Sequence, residues 1–145
     1  MGCFSVLEEL VRIGVELRLE KAQKCLQAAE ALLSIEAYAD SANRSYYCCF
    51  HAMQAVLTTE GFSSKTHSGS ITEFQKSYVK TNIFSKLHSD ILRDAFKVRN
   101  KSDYDIHYVA VKAEVAQQLE NAKIFLAAVD AYIETLKSEG DLNVQ

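Results

Sequence analysis

Hydrophobic residues recur along most of this chain at spacings of three and four, which place them on one face of an α-helix. The pattern predicts a first helix over residues 6–35, with Gly14 as a candidate for a kink or a break in its first half. A second helix is expected to begin near Asp40 or Ser41, because both side chains can cap exposed N–H groups, and to end at Gly61.

The second helix has two distinct faces. One is apolar, is predicted to lie in the core, and consists of Tyr46, Cys49, Phe50, Met53 and Leu57. The adjoining face carries Arg44, Tyr47 and His51 at spacings of three and four. Side chains at these spacings can approach one another, so this face is a candidate for polar chemistry.

The second half of the chain predicts three further helices. A short third helix follows a polar segment, and residues 70–73 fit a capping box, although the helix could begin a few residues earlier. Residues 80–85 are expected to connect it to a fourth helix over about 87–98, and a last helix covers about 111–137. Its apolar residues alternate steps of four and three, which is typical of a long antiparallel partner in a bundle.

Composition favours the same fold class. Proline, which breaks helix interiors, is absent, and there are only five glycines. The length of 145 residues suffices for one domain with a real core. We therefore predict a single all-α domain over 1–145, an up-and-down bundle of four to five helices. Its core is expected over about 15–137, with a loose C-terminal tail over about 138–145.

Charge and cysteine content narrow the range of functions. The formal net charge of −3 argues against binding of duplex DNA, which usually requires a clearly basic surface. No apolar run is long enough to span a membrane, and the first residues lack the pattern of a signal peptide. The cysteines form no C-x-x-C pair and are expected to be free thiols: Cys3, Cys25, Cys48 and Cys49. A cytoplasmic protein is therefore expected.

Common metal and cofactor motifs are absent. The four histidines are scattered, without the spacing of a zinc or di-iron site. There is also no glycine-rich loop of the kind that cradles a nucleotide phosphate. We expect neither a metal nor a cofactor.

The richest polar chemistry lies in residues 99–104, between two predicted helices. The guanidinium of Arg99, at the expected end of the fourth helix, could bind a phosphate through two parallel hydrogen bonds. Asn100 could hold a substrate hydroxyl or orient this arginine. Asp103 could fix the guanidinium or act as a base, and Tyr104 could stack on a nucleobase or donate a hydrogen bond to a phosphate.

Two interpretations of this segment remain open. Arg99 and Asp103 are four residues apart, which is also the spacing of an ordinary salt bridge at a helix end, with Tyr104 packed over it. In the functional interpretation, two residues of the second helix and one of the polar loop would converge on the same site: Tyr47, His51 and His67.

Two stretches resemble the HEPN domain, a small helical domain named for its occurrence in higher eukaryotes and prokaryotes. Residues 44–55, with the sequence RSYYCCFHAMQA, are similar to its second-helix signature of paired aromatics followed by F-H-A. Residues 99–104, with the sequence RNKSDY, resemble the R-x-x-x-D-Y motif of a stand-alone bacterial and archaeal subgroup, and residues 66–69 also fit this subgroup. The similarity covers about residues 15–137.

The resemblance implies an up-and-down bundle that usually forms a homodimer. Many HEPN proteins are metal-independent endoribonucleases with an R-x(4–6)-H motif, or toxins paired with a small nucleotidyltransferase antitoxin. In such sites the histidine assists proton transfer from the ribose 2′-OH, and the arginine stabilises the charged phosphate in the transition state.

This chain departs from the nuclease motif. Tyr104 stands where a histidine would follow Arg99 after four intervening residues, and the nearest histidine, His107, follows after seven. A tyrosine with the usual pKa of about 10 is a poor general base at neutral pH. The departure favours binding without cleavage.

Three hypotheses follow. The first is a dimeric HEPN-like protein that uses Arg99, Asp103 and Tyr104 to bind a nucleotide, RNA or a partner nucleotidyltransferase in a toxin–antitoxin type of setting. The second is a ribonuclease toxin in which Arg99 acts with His107, or with His51 or His67. The third is an interaction module in which the motif residues only stabilise the bundle.

Overall fold

The computed structural model describes residues 6–140, and these form a bundle of five α-helices with no strand, which confirms the all-α prediction. In chain order the helices are α1 (Val6–Ser34), α2 (Tyr38–Thr58), α3 (His67–Phe74), α4 (Lys86–Tyr104) and α5 (Lys112–Ser138). α3 continues directly into a π-helical segment, Gln75–Val79. No helix of the described part of the chain is long and apolar enough to cross a membrane.

α2 is the central helix of the bundle. It packs against α1, α4 and α5, and its predicted core face is buried throughout. The predicted stripe of α5 faces the same core, where Ala122 and Val129 are fully buried. Cys25, Cys48 and Cys49 are buried free thiols, as expected, whereas Cys3 lies outside the described residues.

α1 is continuous through Gly14, so this glycine does not break the helix. A Cβ atom at this position would lie only 3.3 Å from Cγ2 of Thr58 at the end of α2. The glycine therefore serves the close approach of α1 to α2.

The start of α2 also differs from the prediction. The helix begins at Tyr38, after Ala37, and neither Asp40 nor Ser41 caps it. The hydroxyl of Ser41 is buried and donates a 2.8 Å hydrogen bond to the carbonyl oxygen of Ala29 in α1. At the other end α2 stops at Thr58, and Gly61, with φ of 74°, supplies the left-handed residue that closes the turn.

α3 has the earlier of the two starts considered from the sequence. It begins at His67, and the Thr66 side chain caps it by accepting a 3.0 Å hydrogen bond from the Gly69 backbone N–H. The capping box proposed at Ser70 is wrong, because this serine is buried inside the helix and accepts a hydrogen bond from Gln54.

α4 extends six residues beyond its predicted end at Val98, so residues 99–104 are the last turns of a helix and not a linker. These last turns are held by the ion pair between Arg99 and Asp103, four residues apart, and by the contact of Asp103 with Asn43 on α2. α5 agrees with its predicted bounds within one residue at each end. Its helix includes Ser138, so that residue is not part of a loose tail, and residues 141–145 lie outside the described residues.

Candidate functional site

Arg99 is the centre of a polar cluster between α2 and α4. Its side chain is only 15% exposed, and Nη2 donates a 2.9 Å hydrogen bond to the hydroxyl of Tyr47. Nη1 donates a 3.0 Å hydrogen bond to Oδ1 of Asn100, and Nε lies 3.1 Å from Oδ2 of Asp103. This last contact is an ion pair without hydrogen-bond geometry, so Nε has no hydrogen-bond partner among residues 6–140.

A chain of polar contacts connects this arginine to a second one. Oδ2 of Asp103 accepts a 3.3 Å hydrogen bond from Nδ2 of Asn43 on α2. Oδ1 of Asn43 in turn accepts two hydrogen bonds from Arg44, from Nη2 at 2.8 Å and from Nε at 3.1 Å. Arg44, Asn43, Asp103 and Arg99 thus form one connected series, which fixes the positions of both guanidinium groups.

Aromatic rings surround the Arg99 guanidinium. Its central carbon lies 5.5 Å from the ring centroid of Tyr47, and 5.6 Å from those of Tyr46 and Tyr104. At these distances the ring faces attract a cation, so they contribute to holding the guanidinium. The side chain of Tyr104 is largely exposed at the end of α4 and leaves the cluster open to solvent on that side.

His67 joins the cluster from the first turn of α3. Its ring stacks on Phe50 with centroids 4.0 Å apart, and Nδ1 lies 2.7 Å from the hydroxyl of Tyr46. Burial raises the pKa of the Tyr46 hydroxyl, so it keeps its proton. Within the described part of the chain that proton has no acceptor other than Nδ1 of His67. Because a buried hydroxyl proton requires a partner, Tyr46 donates and the neutral His67 carries its own proton on Nε2.

Both histidines near the site have lowered basicity. Burial, and after it the charge of Arg99, lowers the pKa of His67 below its usual value. Burial likewise lowers the pKa of His51 to about 4, with further contributions from neighbouring cations, of which Arg18 is the largest. Nδ1 of His51 lies 3.5 Å from Nη1 of that arginine. Both imidazoles are therefore neutral at pH 7.

The predicted site residues fall into two groups. Seven lie in or beside the cluster: Arg99, Asn100, Asp103, Tyr104, Tyr47, His51 and His67. His107 lies apart, in the exposed turn after α4, where its backbone N–H donates to Oδ1 of Asp105. Across residues 6–140, no hydrogen bond, ion pair or ring contact joins His107 to Arg99.

Sequence reasoning missed two members of the cluster. Tyr46 was assigned only to the core, although its hydroxyl meets His67 from another helix. Asn43 precedes Arg44 and adjoins the same helix face, which is a weak signal, but its contact with Asp103 joins residues 60 positions apart. A groove of about 460 Å³ between α3 and α4 adjoins this region, and Asn100 is the cluster residue that lines it.

The fold and the cluster define a small helical-bundle domain with a mostly buried arginine on its fourth helix, facing paired tyrosines on its second. Residues 15–132 match the family model of the HEPN domain, and the chain belongs to this family.

Relatives of similar length support the assignment. The chain is 32% identical over 139 residues to "Putative toxin MJ0142" of Methanocaldococcus jannaschii, covering 94% of this chain and 95% of the relative. It is 31% identical to a "UPF0332 protein" of Thermotoga maritima, covering 85% of this chain and 93% of the relative. A third relative, "Putative toxin MJ0605" of Methanocaldococcus jannaschii, is 29% identical, with coverage of 69% and 75%.

Proposed function

We propose that this HEPN protein binds the phosphate group of a nucleotide or an RNA at Arg99 and acts in a toxin–antitoxin type of setting. The carrying observation is the fixed guanidinium. Nη1 and Nη2 each use one of their two N–H groups on a partner within residues 6–140, so each keeps one N–H for a ligand. A guanidinium presents such N–H groups in the fork geometry that matches two phosphate oxygens.

The protonation of His67 supports binding over cleavage. A ribonuclease base must accept a proton from the ribose 2′-OH. With Nδ1 accepting from Tyr46, the remaining ring nitrogen of His67 carries a hydrogen and can only donate. Such a donor suits a phosphate oxygen and does not suit a proton acceptor.

Thermal melting with a panel of nucleoside monophosphates tests the proposal. A ligand at about 100 times its Kd stabilises the folded state by about 2.7 kcal/mol, which raises the midpoint by about 5–10 °C for a chain of this size. We expect this rise with the wild-type protein and its loss in Arg99→Gln.

Arg12→Gln is the matched control for this experiment. Arg12 is an arginine of α1 whose charge is already paired with Glu9 and Glu16. Its substitution should leave the ligand response intact. A wild-type midpoint that no nucleotide or RNA moves, together with a lower midpoint for Arg99→Gln alone, would contradict the proposal and assign the motif a purely structural role.

A metal-independent ribonuclease is the second candidate. It is supported by His67, which shares one cluster with Arg99 and is neutral at pH 7. To act as a base it would have to shift its proton to Nδ1. Incubation with mixed RNA in EDTA tests this candidate: cleavage that disappears in both Arg99→Gln and His67→Asn would establish it, and intact RNA at high protein concentration would eliminate it.

The partner and the oligomeric state belong to the same proposal. A small nucleotidyltransferase is the partner that the family resemblance implies, and two relatives carry the word toxin in their names. A homodimer is supported by the exposed apolar residues that directly follow α4, among them Ile106 at 91% exposure and Val109 at 76%. Co-purification with a nucleotidyltransferase encoded beside this chain would test the partner.

A further inference from the structure

A group of three cations lies around His51, whose ring contacts that of Tyr47 beside the Arg99 cluster. Arg18 and Lys21 come from α1, and Arg44 comes from α2. The face of α2 that carries Arg44, Tyr47 and His51 packs toward this part of α1, where Arg18 contacts the ring of His51 at 3.5 Å. Arg44 approaches Sγ of Cys25 at 3.7 Å, one turn along α1 from Lys21.

None of these three cations has an acidic partner among residues 6–140. The contacts of Arg44 within this part of the chain are all with neutral groups, namely the side-chain oxygen Oδ1 of Asn43, the sulfur of Cys25 and the ring of Tyr47, whose centroid is 5.0 Å away. The preceding arginine of α1 differs in this respect, because the charge of Arg12 is paired with two glutamates. Like charges brought together without a counterion repel one another, and a bound anion would relieve that repulsion.

The geometry couples this group to the Arg99 site. The central guanidinium carbons of Arg44 and Arg99 lie 5.0 Å and 5.5 Å from the ring centroid of Tyr47. The distance between the two guanidinium carbons therefore cannot exceed the sum of these two values. Asn43 and Asp103 connect the two guanidinium groups through hydrogen bonds and an ion pair. The spacing of the two guanidinium groups is therefore set by the fold, which is required of a surface that binds two charged groups of one ligand.

We propose that Arg18, Lys21 and Arg44 form a second phosphate-binding site on α1 and α2, so that the ligand of this protein is a nucleic-acid strand with one phosphate at Arg99 and another at these three cations. A mononucleotide would occupy only the Arg99 site. The inference rests on the proposed function, because it assumes that Arg99 binds the first phosphate. It adds the class of ligand, a single strand, which a chain of net charge −3 binds through a local basic surface.

Paired binding measurements with uridine monophosphate and a single-stranded hexauridylate test this inference. We expect wild type to bind the hexamer at least tenfold more tightly than the monophosphate. The double variant Arg18→Gln with Lys21→Gln should lose most of this preference while its affinity for the monophosphate changes less than twofold. Arg99→Gln should weaken binding of both ligands. Each phosphate contact removed should also flatten the slope of log affinity against log salt by about 0.7 for a single strand.

Two further variants keep the experiment decisive. Lys21→Gln alone changes an exposed side chain with no hydrogen bond or ion pair to residues 6–140, so it should weaken hexamer binding without unfolding the protein. Arg12→Gln is the control on the same helix and should bind like wild type. If wild type binds both ligands equally well, or if the Arg18 and Lys21 variants keep the preference, the second site is wrong while the proposed function stands. If wild type binds neither ligand, both fail.

Discussion

At the residue scale, the fold changes the chemistry of histidines most clearly. His51 is enclosed between α1 and α2, and burial together with neighbouring cations lowers its pKa to about 4. Burial also lowers the pKa of His67 and of His88. At pH values between these lowered pKa values and the ordinary pKa of about 6.5, each of the three histidines binds fewer protons in the folded state than in the unfolded state.

The sign of the pH dependence follows from this difference. Because the unfolded state binds more protons, the free energy of unfolding should fall as the pH falls from about 6.5 toward 4, by less than about 1.4 kcal/mol per pH unit for each histidine. His51→Gln should reduce this slope, as measured by urea unfolding at several pH values. The same substitution at the exposed His107 controls for the loss of a histidine as such, and an equal reduction there would contradict the explanation.

Single residues also show where sequence reasoning reached its limit. The spacing of Arg44, Tyr47 and His51 correctly indicated a shared helix face, because i, i+3 and i+4 neighbours are fixed by helix geometry alone. The role of Tyr46 could not be inferred in this way. Its hydroxyl meets His67 from a different helix, and such tertiary contacts leave no periodic signal in one sequence.

At the scale of helices, apolar periodicity identified the core faces of α2 and α5 but not every helix end. The predicted end of α4 is too early because the last turns of this helix are polar and carry no apolar periodicity. These turns are stabilised by the Arg99–Asp103 ion pair and by the contact of Asp103 with Asn43 on α2. The start of α2 was misplaced because Ser41, a good capping residue, is used instead to tie α2 to the backbone of α1.

The turn between α1 and α2 provides a prediction at this scale. Glu36 has φ of 63°, and its N–H and that of Ala37 bond to the carbonyls of Leu33 and Leu32, which is the Schellman arrangement. Glycine adopts this conformation without a Cβ penalty. Glu36→Gly should therefore raise the free energy of unfolding by about 0.5–1 kcal/mol, as measured in urea.

Glu36→Ala is the matched control, because it removes the carboxylate and keeps the Cβ atom. It should leave stability unchanged within about 0.5 kcal/mol. An equal gain in the alanine variant would show that the carboxylate, and not the backbone conformation, limits stability at this turn.

At the scale of the whole molecule, the exposed apolar segment after α4 predicts self-association. Ile106→Asp should convert a dimer into a monomer in size-exclusion chromatography with light scattering, because a charge would be buried without a partner. Ile83→Asp places the same change at a 49% exposed isoleucine before α4 and should leave the mass unchanged. A wild-type protein that is monomeric at all concentrations would contradict this prediction.

The central claim is that Arg99 holds a phosphate while the Tyr46–His67 hydrogen bond withholds the base that cleavage needs. One titration tests both halves of this claim. A fluorescently labelled RNA hexamer is titrated with protein in EDTA while its anisotropy is recorded, and the same RNA is then analysed on a denaturing gel. The account predicts saturable binding that Arg99→Gln weakens, with the RNA intact after prolonged incubation. Absence of binding, or cleavage that depends on Arg99, would contradict it.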